Sequence, residues 1–214
     1  MSKLFPAGFG WQYSSCLAGA AGLGDTDLSF FVTTGVGDMV AVTAGHTGYY
    51  AVKSMFDKSL KFSEFATGGI WLGSAAFCSG GGWQPIVNGC HAMNMGFTSS
   101  CITVTVLCGS LFYTGLRVGR MFYGGLLGLP LPSADYANLK ADAQLSVSIG
   151  GAAACFVGTD VSYDDNWLRG LVGVEDGVTD LGGSITAGSS TALGFVVFQT
   201  AQNLAVPAGR CWVD

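Results

Sequence analysis

Five polar side chains lie inside long apolar stretches of the chain, and they are the residues that could do chemistry. Asp38 and His46 are eight residues apart, about two helical turns, so a helix places both on one face. Charged groups at bilayer depth are costly and mark ion pathways or proton relays. Two hypotheses stay open, a relay along a polar path or a polar contact to a neighbouring helix. The five residues are Asp38, His46, Asn88, His91 and Asn94.

The seven cysteines form no recognisable metal or catalytic motif, and four of them lie between residues 65 and 116. Cys78, Cys90 and His91 could be imagined as ligands, but the spacing typical of a zinc site is missing. We expect most cysteines to be small buried hydrophobes, with Cys78–Cys90 as the best pair for a disulfide. No nucleophile elbow, phosphate loop or H-E-x-x-H motif occurs. We therefore expect no enzyme, no catalytic residue, no metal and no cofactor, with structural lipid such as cardiolipin left open.

These residues must be positioned by long apolar elements. No Asp, Glu, Lys or Arg occurs from Phe65 to Leu116, a run of 52 residues. A bilayer-spanning helix needs about 20 apolar residues, so this run fits two spans and a turn. Only 11% of the chain is charged, against roughly 25% in soluble domains. The sequence predicts an all-α fold, a polytopic membrane protein built as a Gly-rich bundle of four to five transmembrane helices.

The apolar runs divide the chain into an arm, spans and connections. Gly80–Gly82 followed by Pro85 predicts a turn between the second and third spans, because glycine permits unusual dihedrals and proline stops a helix. The predicted spans are residues 28–52, 65–79, 86–113, 144–157 and 181–205. The predicted regions are an interfacial, partner-contacting arm at 1–24, spans one to three within 25–125, an extramembrane connection at 126–143, and spans four and five within 144–214 with an acidic loop at 160–180.

Charge gives further information on partners, targeting and orientation. The net charge is −5 and no basic patch occurs, which argues against nucleic acid as a partner. Residues 1–24 contain one Lys and no Arg, so neither a secretory signal nor an Arg-rich presequence is predicted there. We expect internal targeting signals or a presequence that has been removed. The connection after the first span contains Lys53, Lys58 and Lys61. Basic residues favour the side of the membrane that does not translocate, so we expect this connection on that side.

Small residues recur at intervals of four in four of the predicted spans. Glycine accounts for 34 of the 214 residues, and a spacing of four puts side chains on one helical face. Helices in lipid associate through close backbone approach, so such stripes predict tight helix packing. The predicted packing residues are Gly37, Ala41, Gly45, Gly69, Gly73, Gly150, Ala154, Gly158, Ser184, Gly188 and Ala192.

One stretch resembles a known family. Residues 148–155, SIGGAAAC, lead into residues 163–173, YDDNWLRGLVG, and Gly24-Asp25-Thr26-Asp27 precedes the first span. This order of a Gly/Ala-rich span, a short acidic loop with an Asn and a Gly-rich continuation is similar to the mitochondrial Tim translocase channel family. The closest resemblance is to its branch of respiratory complex I accessory subunits. The resemblance implies a multi-pass protein of the mitochondrial inner membrane.

The resemblance and the packing stripes together favour a non-catalytic structural accessory subunit of a large respiratory complex, complex I or a supercomplex. It would brace helix interfaces and support assembly, with other membrane subunits and lipids as partners. One alternative is a membrane channel or a protein or ion translocase with a polar path at Asp38 and His46. Another alternative is a membrane subunit associated with ATP synthase. A weaker alternative is an organelle subunit with pigment ligated by His46 or His91.

Overall fold

The computed structural model describes residues 5–20, 27–128, 136–155 and 181–205. All regular secondary structure in these residues is α-helical, so the predicted all-α fold is confirmed for this part of the chain. The predicted acidic loop, residues 160–180, lies outside the described residues. The helices are α1 (Phe5–Ala20), α2 (Asp27–Phe56), α3 (Phe62–Ala92), α4 (Phe97–Leu127), α5 (Tyr136–Cys155) and α6 (Leu181–Ala205).

The six helices form a closed ring. Each helix packs against its neighbours in sequence, and α1 completes the ring by packing against both α2 and α6. Pro6 of α1 lies against Gly45 of α2, whereas Ser14 lies against Gly37, so these two helices are antiparallel. The contacts between α2 and α3, α3 and α4, and α4 and α5 follow the same antiparallel pattern. The N-terminal arm expected from the sequence is therefore largely a helix of the ring.

The helix α3 runs without a break through the glycines and Pro85, so the predicted turn at residues 80–85 was wrong. A β-carbon on Gly81 would stand 2.6 Å from the Phe31 carbonyl oxygen, which shows that this face of α3 is packed directly on α2. The glycines here are a packing surface and not a turn. The chain turns instead at Asn94, whose φ is 49°, and the N–H of Met95 donates to the Cys90 carbonyl at 3.0 Å.

The connection predicted at residues 126–143 is also shorter than expected. The helix α4 ends at Leu127, and α5 begins at Tyr136, eight residues before the predicted span. The physical reason is an ion pair that the sequence pattern does not show. Asp142 is buried, and it accepts hydrogen bonds from Arg117 and Arg120 of α4. This pairing keeps the first turns of α5 against α4.

The described helices carry rows of exposed apolar side chains, which are unusual in a water-soluble bundle. Leu28, Val32, Val36 and Val40 repeat every four residues along α2 and are exposed by 45% to 72%. The helix α4 has a similar row of exposed apolar side chains. By contrast, many of the buried side chains are small or polar. The exposed residues on α4 include Ile102, Val106, Val118 and Phe122, and the buried polar residues include Thr34, Ser100, Ser146 and Ser148.

Two helices of the described residues, Leu28–Phe56 and Phe97–Leu126, are long and apolar enough to cross a membrane. They coincide with the helices that carry the clearest rows of exposed apolar side chains. By length and composition alone, these two helices are candidates for membrane spans. The larger number of four to five crossings stays a prediction.

Candidate functional site

A central cavity of about 520 Å³ lies inside the ring, and all six helices contribute to its lining. The lining has two parts of different chemistry. At one level it carries indole, carboxylate and hydroxyl groups, and elsewhere it is formed by aliphatic and phenyl side chains. The polar part consists of Trp11, Asp38, Ser79, Trp83 and Thr191, and the apolar part includes Val42, Leu72, Phe112, Leu145, Ile149 and Phe195.

Asp38 is the charged residue of this lining. It is exposed by only 5% and lies between two glycines of neighbouring helices. A β-carbon on Gly80 of α3 would stand 2.7 Å from Asp38 Cγ, and one on Gly10 of α1 would stand 3.7 Å from Oδ1. Asp38 Oδ1 has no hydrogen-bond partner among the described residues, although the backbone N–H of Trp11 is directed at the carboxylate. The site is therefore a buried acid whose hydrogen bonding is incomplete.

Two tryptophans meet beside this acid and tie three helices together. The ring centroids of Trp11 and Trp83 are 4.7 Å apart with an interplanar angle of 68°. The Trp11 indole N–H donates to the Gly80 carbonyl at 2.9 Å, and that of Trp83 donates to the Ala153 carbonyl at 3.0 Å. Both indole donors thus bond to backbone oxygens. No sequence motif flagged this pair, because it forms only when α1, α3 and α5 pack.

The two hydroxyl groups of the polar part are also oriented by the backbone. The Thr191 hydroxyl donates to the Ala187 carbonyl at 2.9 Å, and the Ser79 hydroxyl donates to the Ala76 carbonyl at 3.4 Å. A hydroxyl that has donated its hydrogen keeps lone pairs for accepting. The polar part of the cavity therefore presents mainly hydrogen-bond acceptors: a carboxylate and two hydroxyl oxygens.

The structure separates the polar residues that the sequence singled out. Asp38 lines the cavity, whereas His46 is packed beside Gly68 on α3 and its ring centroid is 4.8 Å from that of Tyr50. Asn88 is exposed and accepts a hydrogen bond from Gln84 Nε2 at 3.0 Å. The other two, His91 in the last turn of α3 and Asn94 in the turn that follows it, lie at the end of that helix. The packing thus brings only Asp38 to the cavity.

The small residues predicted to pack helices lie mostly at helix contacts. Gly37 and Gly45 face α1, and a β-carbon on Gly69 would stand 3.1 Å from the Thr43 carbonyl oxygen on α2. A β-carbon on Gly188 would stand 2.8 Å from the Phe5 carbonyl oxygen. Ala41 meets Gly10, Gly73 meets Thr43 and Met39, Gly150 meets Thr105 and Gly109, and Ala154 and Ala192 are buried. Gly158 lies outside the described residues, and the side chain of Ser184 is not described.

The expected disulfide between Cys78 and Cys90 is contradicted, because both residues are free thiols. They lie twelve positions apart on the uninterrupted helix α3, about 18 Å at 1.5 Å per residue. A disulfide requires Cα atoms less than about 7 Å apart. Cys101 and Cys108 are free as well. Among the described residues, no three His, Cys, Asp or Glu side chains are grouped as a metal site.

A second charged cluster joins α4 to α5 away from the cavity. Arg117 donates to Asp142 at 3.2 Å, and Arg120 donates to the same carboxylate oxygen. The Arg120 guanidinium also lies over the Trp71 ring, 5.5 Å from its centroid. Asp142 lies in the stretch predicted as an extramembrane connection, and this cluster was not predicted. The two arginines at positions 117 and 120, on one face of a helix, were the available signal.

Comparison with known proteins gives no relative, since no family model, no curated protein and no solved structure matches this chain. The fold and the cavity are therefore interpreted from their own geometry. In the described residues they define a helical ring with rows of exposed apolar side chains, an interior of apolar, small and polar side chains, and a buried acid in the cavity lining.

Proposed function

We propose that this chain is a multi-pass membrane protein that acts as a non-catalytic structural subunit of a larger membrane assembly. A row of exposed apolar side chains on α2 carries this proposal. Val32, Val36 and Val40 are exposed in a continuous row, whereas soluble monomers rarely expose large apolar patches. In a bilayer the same row contacts lipid or the helix of a neighbouring subunit, so no apolar surface is exposed to water.

Close backbone contacts between helices support the structural role. A β-carbon on Gly115 of α4 would stand 2.9 Å from the Ala75 Cα of α3, and one on Gly109 would stand 2.9 Å from the Ser146 carbonyl oxygen of α5. Without a hydrophobic effect inside lipid, such contacts are what holds helices together. The ring is therefore suited to act as a rigid brace whose outer faces remain free for other subunits.

The distribution of basic residues supports one orientation. The ends of α2 and α4 and the starts of α3 and α5 lie on one side of the ring, which we term the basic end. All six Lys and Arg residues of the described part lie on this side of the ring, and basic residues favour the side that does not translocate. The six are Lys53, Lys58, Lys61, Arg117, Arg120 and Lys140.

The identity of the assembly is proposed from the resemblance in residues 148–173. On that basis the protein belongs to the mitochondrial inner membrane, with respiratory complex I or a supercomplex as the assembly and the basic end in the matrix. The described part of this stretch lies in α5, where Gly150 packs against Thr105 and Gly109 of α4. A membrane subunit associated with ATP synthase is the alternative assembly.

Native size after mild detergent extraction tests the structural role. Organelle membranes are solubilised, separated by native electrophoresis, and the co-migrating proteins are identified by mass spectrometry. We expect migration with respiratory subunits in a large complex. Co-migration with ATP synthase subunits would select the alternative assembly, and migration as a monomer or a small homo-oligomer would reject the structural role.

Membrane crossing is tested independently by site-specific labelling. Ser59 lies between α2 and α3 at the basic end, and Asn94 lies between α3 and α4 at the opposite end. Ser59→Cys and Asn94→Cys are each treated with a membrane-impermeant maleimide in sealed vesicles, with the unmodified chain as background. We expect only one of the two to react before the vesicles are opened. Equal labelling of both would show that α3 does not cross.

The cavity favours a second function, a channel or translocase, because it is lined by all six helices and contains Asp38. His46, the other half of the path expected from the sequence, is packed at the α2–α3 contact beside Gly68. Asp38→Asn separates the two functions. Loss of transport with normal native size supports a channel, whereas normal transport or loss of assembly supports the brace.

A further inference from the structure

We propose that the central cavity is a binding site for a small organic cation, an ammonium group attached to an apolar body. The ammonium would bind beside Asp38, and the carbon skeleton would lie along the apolar part of the lining. This role goes beyond bracing, and it does not depend on which assembly the protein joins.

Asp38 is a buried acid without a counter-charge among the described residues. Asp38 is 5% exposed, and its Oδ1 has no hydrogen-bond partner among the described residues. Burying a carboxylate without a counter-charge is costly. The salt bridges of Arg117 and Arg120 go to Asp142, and no salt bridge within the described residues involves Asp38. A positively charged ligand would supply the missing partner.

The hydrogen-bonding groups of the polar part also favour a cation over an anion. The indole N–H groups of Trp11 and Trp83 already donate to backbone carbonyls, and so do the hydroxyls of Ser79 and Thr191. Apart from the Trp11 backbone N–H, which is directed at the carboxylate, these groups offer acceptors. An anion would find no donor among these four side chains, whereas an ammonium group carries N–H donors that match them.

The cavity lining fits an organic cation better than a metal ion. Metal cations such as Ca²⁺ take six to eight oxygen ligands, and Mg²⁺ takes about six, but the cavity that Asp38 lines also carries the two indole rings, whose centroids are 4.7 Å apart. Indole faces attract organic ammonium groups through cation–π interactions. The surroundings of Asp38 are therefore suited to an alkylammonium or arylalkylammonium ion.

The size and shape of the cavity agree with such a ligand. Its volume is about 520 Å³, within the range of small-molecule sites. Beyond Asp38 the lining changes to Leu72, Phe112 and Phe195, which would cover the apolar body. Tyr49 and Gln199 also line the cavity, and both are exposed, so this side offers an entry.

The test uses the full chain in nanodiscs of phosphatidylcholine, with 2-phenylethylammonium as the probe. Binding is measured by isothermal titration and by the change in tryptophan fluorescence, with empty nanodiscs as the blank. The neutral 2-phenylethanol and the anionic 3-phenylpropionate have the same frame and a different charge. We expect the ammonium to bind at least about tenfold more tightly than either, since only the ammonium brings charged N–H donors to the Asp38 carboxylate.

Two pairs of variants locate the binding. Asp38→Asn should weaken the affinity for the ammonium about tenfold or more, whereas Asp57→Asn removes a partly exposed acid and should leave it unchanged. Ala7→Leu fills the cavity with Asp38 intact and should also weaken binding, whereas Ala44→Leu, on the exposed side of α2, should not. If Asp38→Asn does not fold, Ala7→Leu and its control Ala44→Leu still test whether the ammonium binds in the cavity.

Three results would overturn the proposal. The first is the absence of ammonium binding to the unmodified protein above the empty-nanodisc blank. The second is equal affinity for the ammonium, the alcohol and the carboxylate. The third is an affinity that neither Asp38→Asn nor Ala7→Leu reduces. None of these outcomes bears on the native size of the protein, so failure here is distinguishable from failure of the structural role.

Discussion

The carboxylate of Asp38 on α2 occupies the space that a β-carbon on Gly80 of α3 would take, with Asp38 Cγ 2.7 Å from that position. The same glycine offers its carbonyl oxygen to the Trp11 indole N–H at 2.9 Å. One residue without a side chain thus makes room for the acid and also binds the tryptophan beside it. The polar part of the cavity therefore depends on Gly80 being a glycine.

Gly80→Ala is expected to lower the thermal stability of the ring. The added methyl group meets the Asp38 carboxylate inside a packed interface, and overpacking of this kind costs about 1–3 kcal/mol. The control is Gly89→Ala on the same helix, where nothing lies within 4 Å and helix propensity favours alanine. Thermal unfolding of both variants in detergent is the measurement. Equal melting temperatures would refute the close contact between Asp38 and Gly80.

Gly115→Ala is expected to loosen the contact between α3 and α4. Its β-carbon would stand 2.9 Å from the Ala75 Cα and the Ser74 carbonyl oxygen, and backbone atoms cannot move aside as a flexible side chain can. Gly125→Ala, further along α4 with nothing within 4 Å, is the matched control. Limited proteolysis in detergent should cut the first variant faster than the second. Equal cleavage rates of Gly115→Ala and Gly125→Ala would contradict the close contact between α3 and α4 at Gly115.

Asp142→Asn is expected to destabilise the protein by about 3 kcal/mol, because removing one partner of a buried ion pair leaves the other charge uncompensated. The side chain of Asp142 is 8% exposed, and those of Arg117 and Arg120 are 25% and 19% exposed. The measurement is the free energy of unfolding in detergent. The partly exposed control, Asp57→Asn, should change it by less than about 0.5 kcal/mol.

The same cluster allows a rescue experiment. In an Asp142→Asn background, Arg120→Leu removes one of the two uncompensated guanidinium groups, so stability should rise again even though a second residue has changed. The stacking of Arg120 on Trp71 at 5.5 Å is lost in this double variant, which limits the recovery. A double variant less stable than Asp142→Asn alone would contradict the charge argument.

Ser59→Ala is expected to raise the pKa of Asp57 towards 3.8. The Ser59 hydroxyl donates to Asp57 Oδ1 at 2.6 Å and its backbone N–H donates at 3.1 Å, and these bonds hold the pKa of Asp57 below its ordinary value of 3.8. A carboxyl with a lowered folded pKa stabilises the fold above its unfolded pKa and loses that contribution as the pH falls through the folded value. The contribution of these bonds to stability is therefore complete above about pH 4 and is lost as the pH falls below it.

The measurement is a carbon NMR titration of the Asp57 carboxyl in the unmodified chain and in Ser59→Ala. The backbone N–H of residue 59 remains in the variant, so the pKa of Asp57 should rise only part of the way. An unchanged midpoint would mean that the hydroxyl contributes nothing in solution. Asp57 is partly exposed, and solvent screening keeps the accompanying loss of melting temperature at neutral pH small.

The helices that were best anticipated are those marked by long uncharged runs. The predicted spans 28–52 and 181–205 correspond to α2 and α6, because apolar length is a local property of the sequence. The turn predicted at Gly80–Pro85 was wrong, because these glycines form a packing face within the continuous helix α3. The ion pair of Asp142 was missed because its arginines lie more than twenty residues away.

By itself, the sequence predicted the all-α class, which is confirmed for the described residues, and the small residues at intervals of four, which lie mostly at helix contacts. It also predicted apolar segments long enough to cross a membrane, and two such helices are found among the described residues. Each follows from composition or short-range periodicity, which do not depend on how helices meet. Only the tertiary structure decided that α1 closes a ring, that Trp11 and Trp83 meet beside Asp38, and that His46 is excluded from the cavity. The physical reason is that these are contacts between distant helices, and their geometry is set by packing rather than by any local pattern.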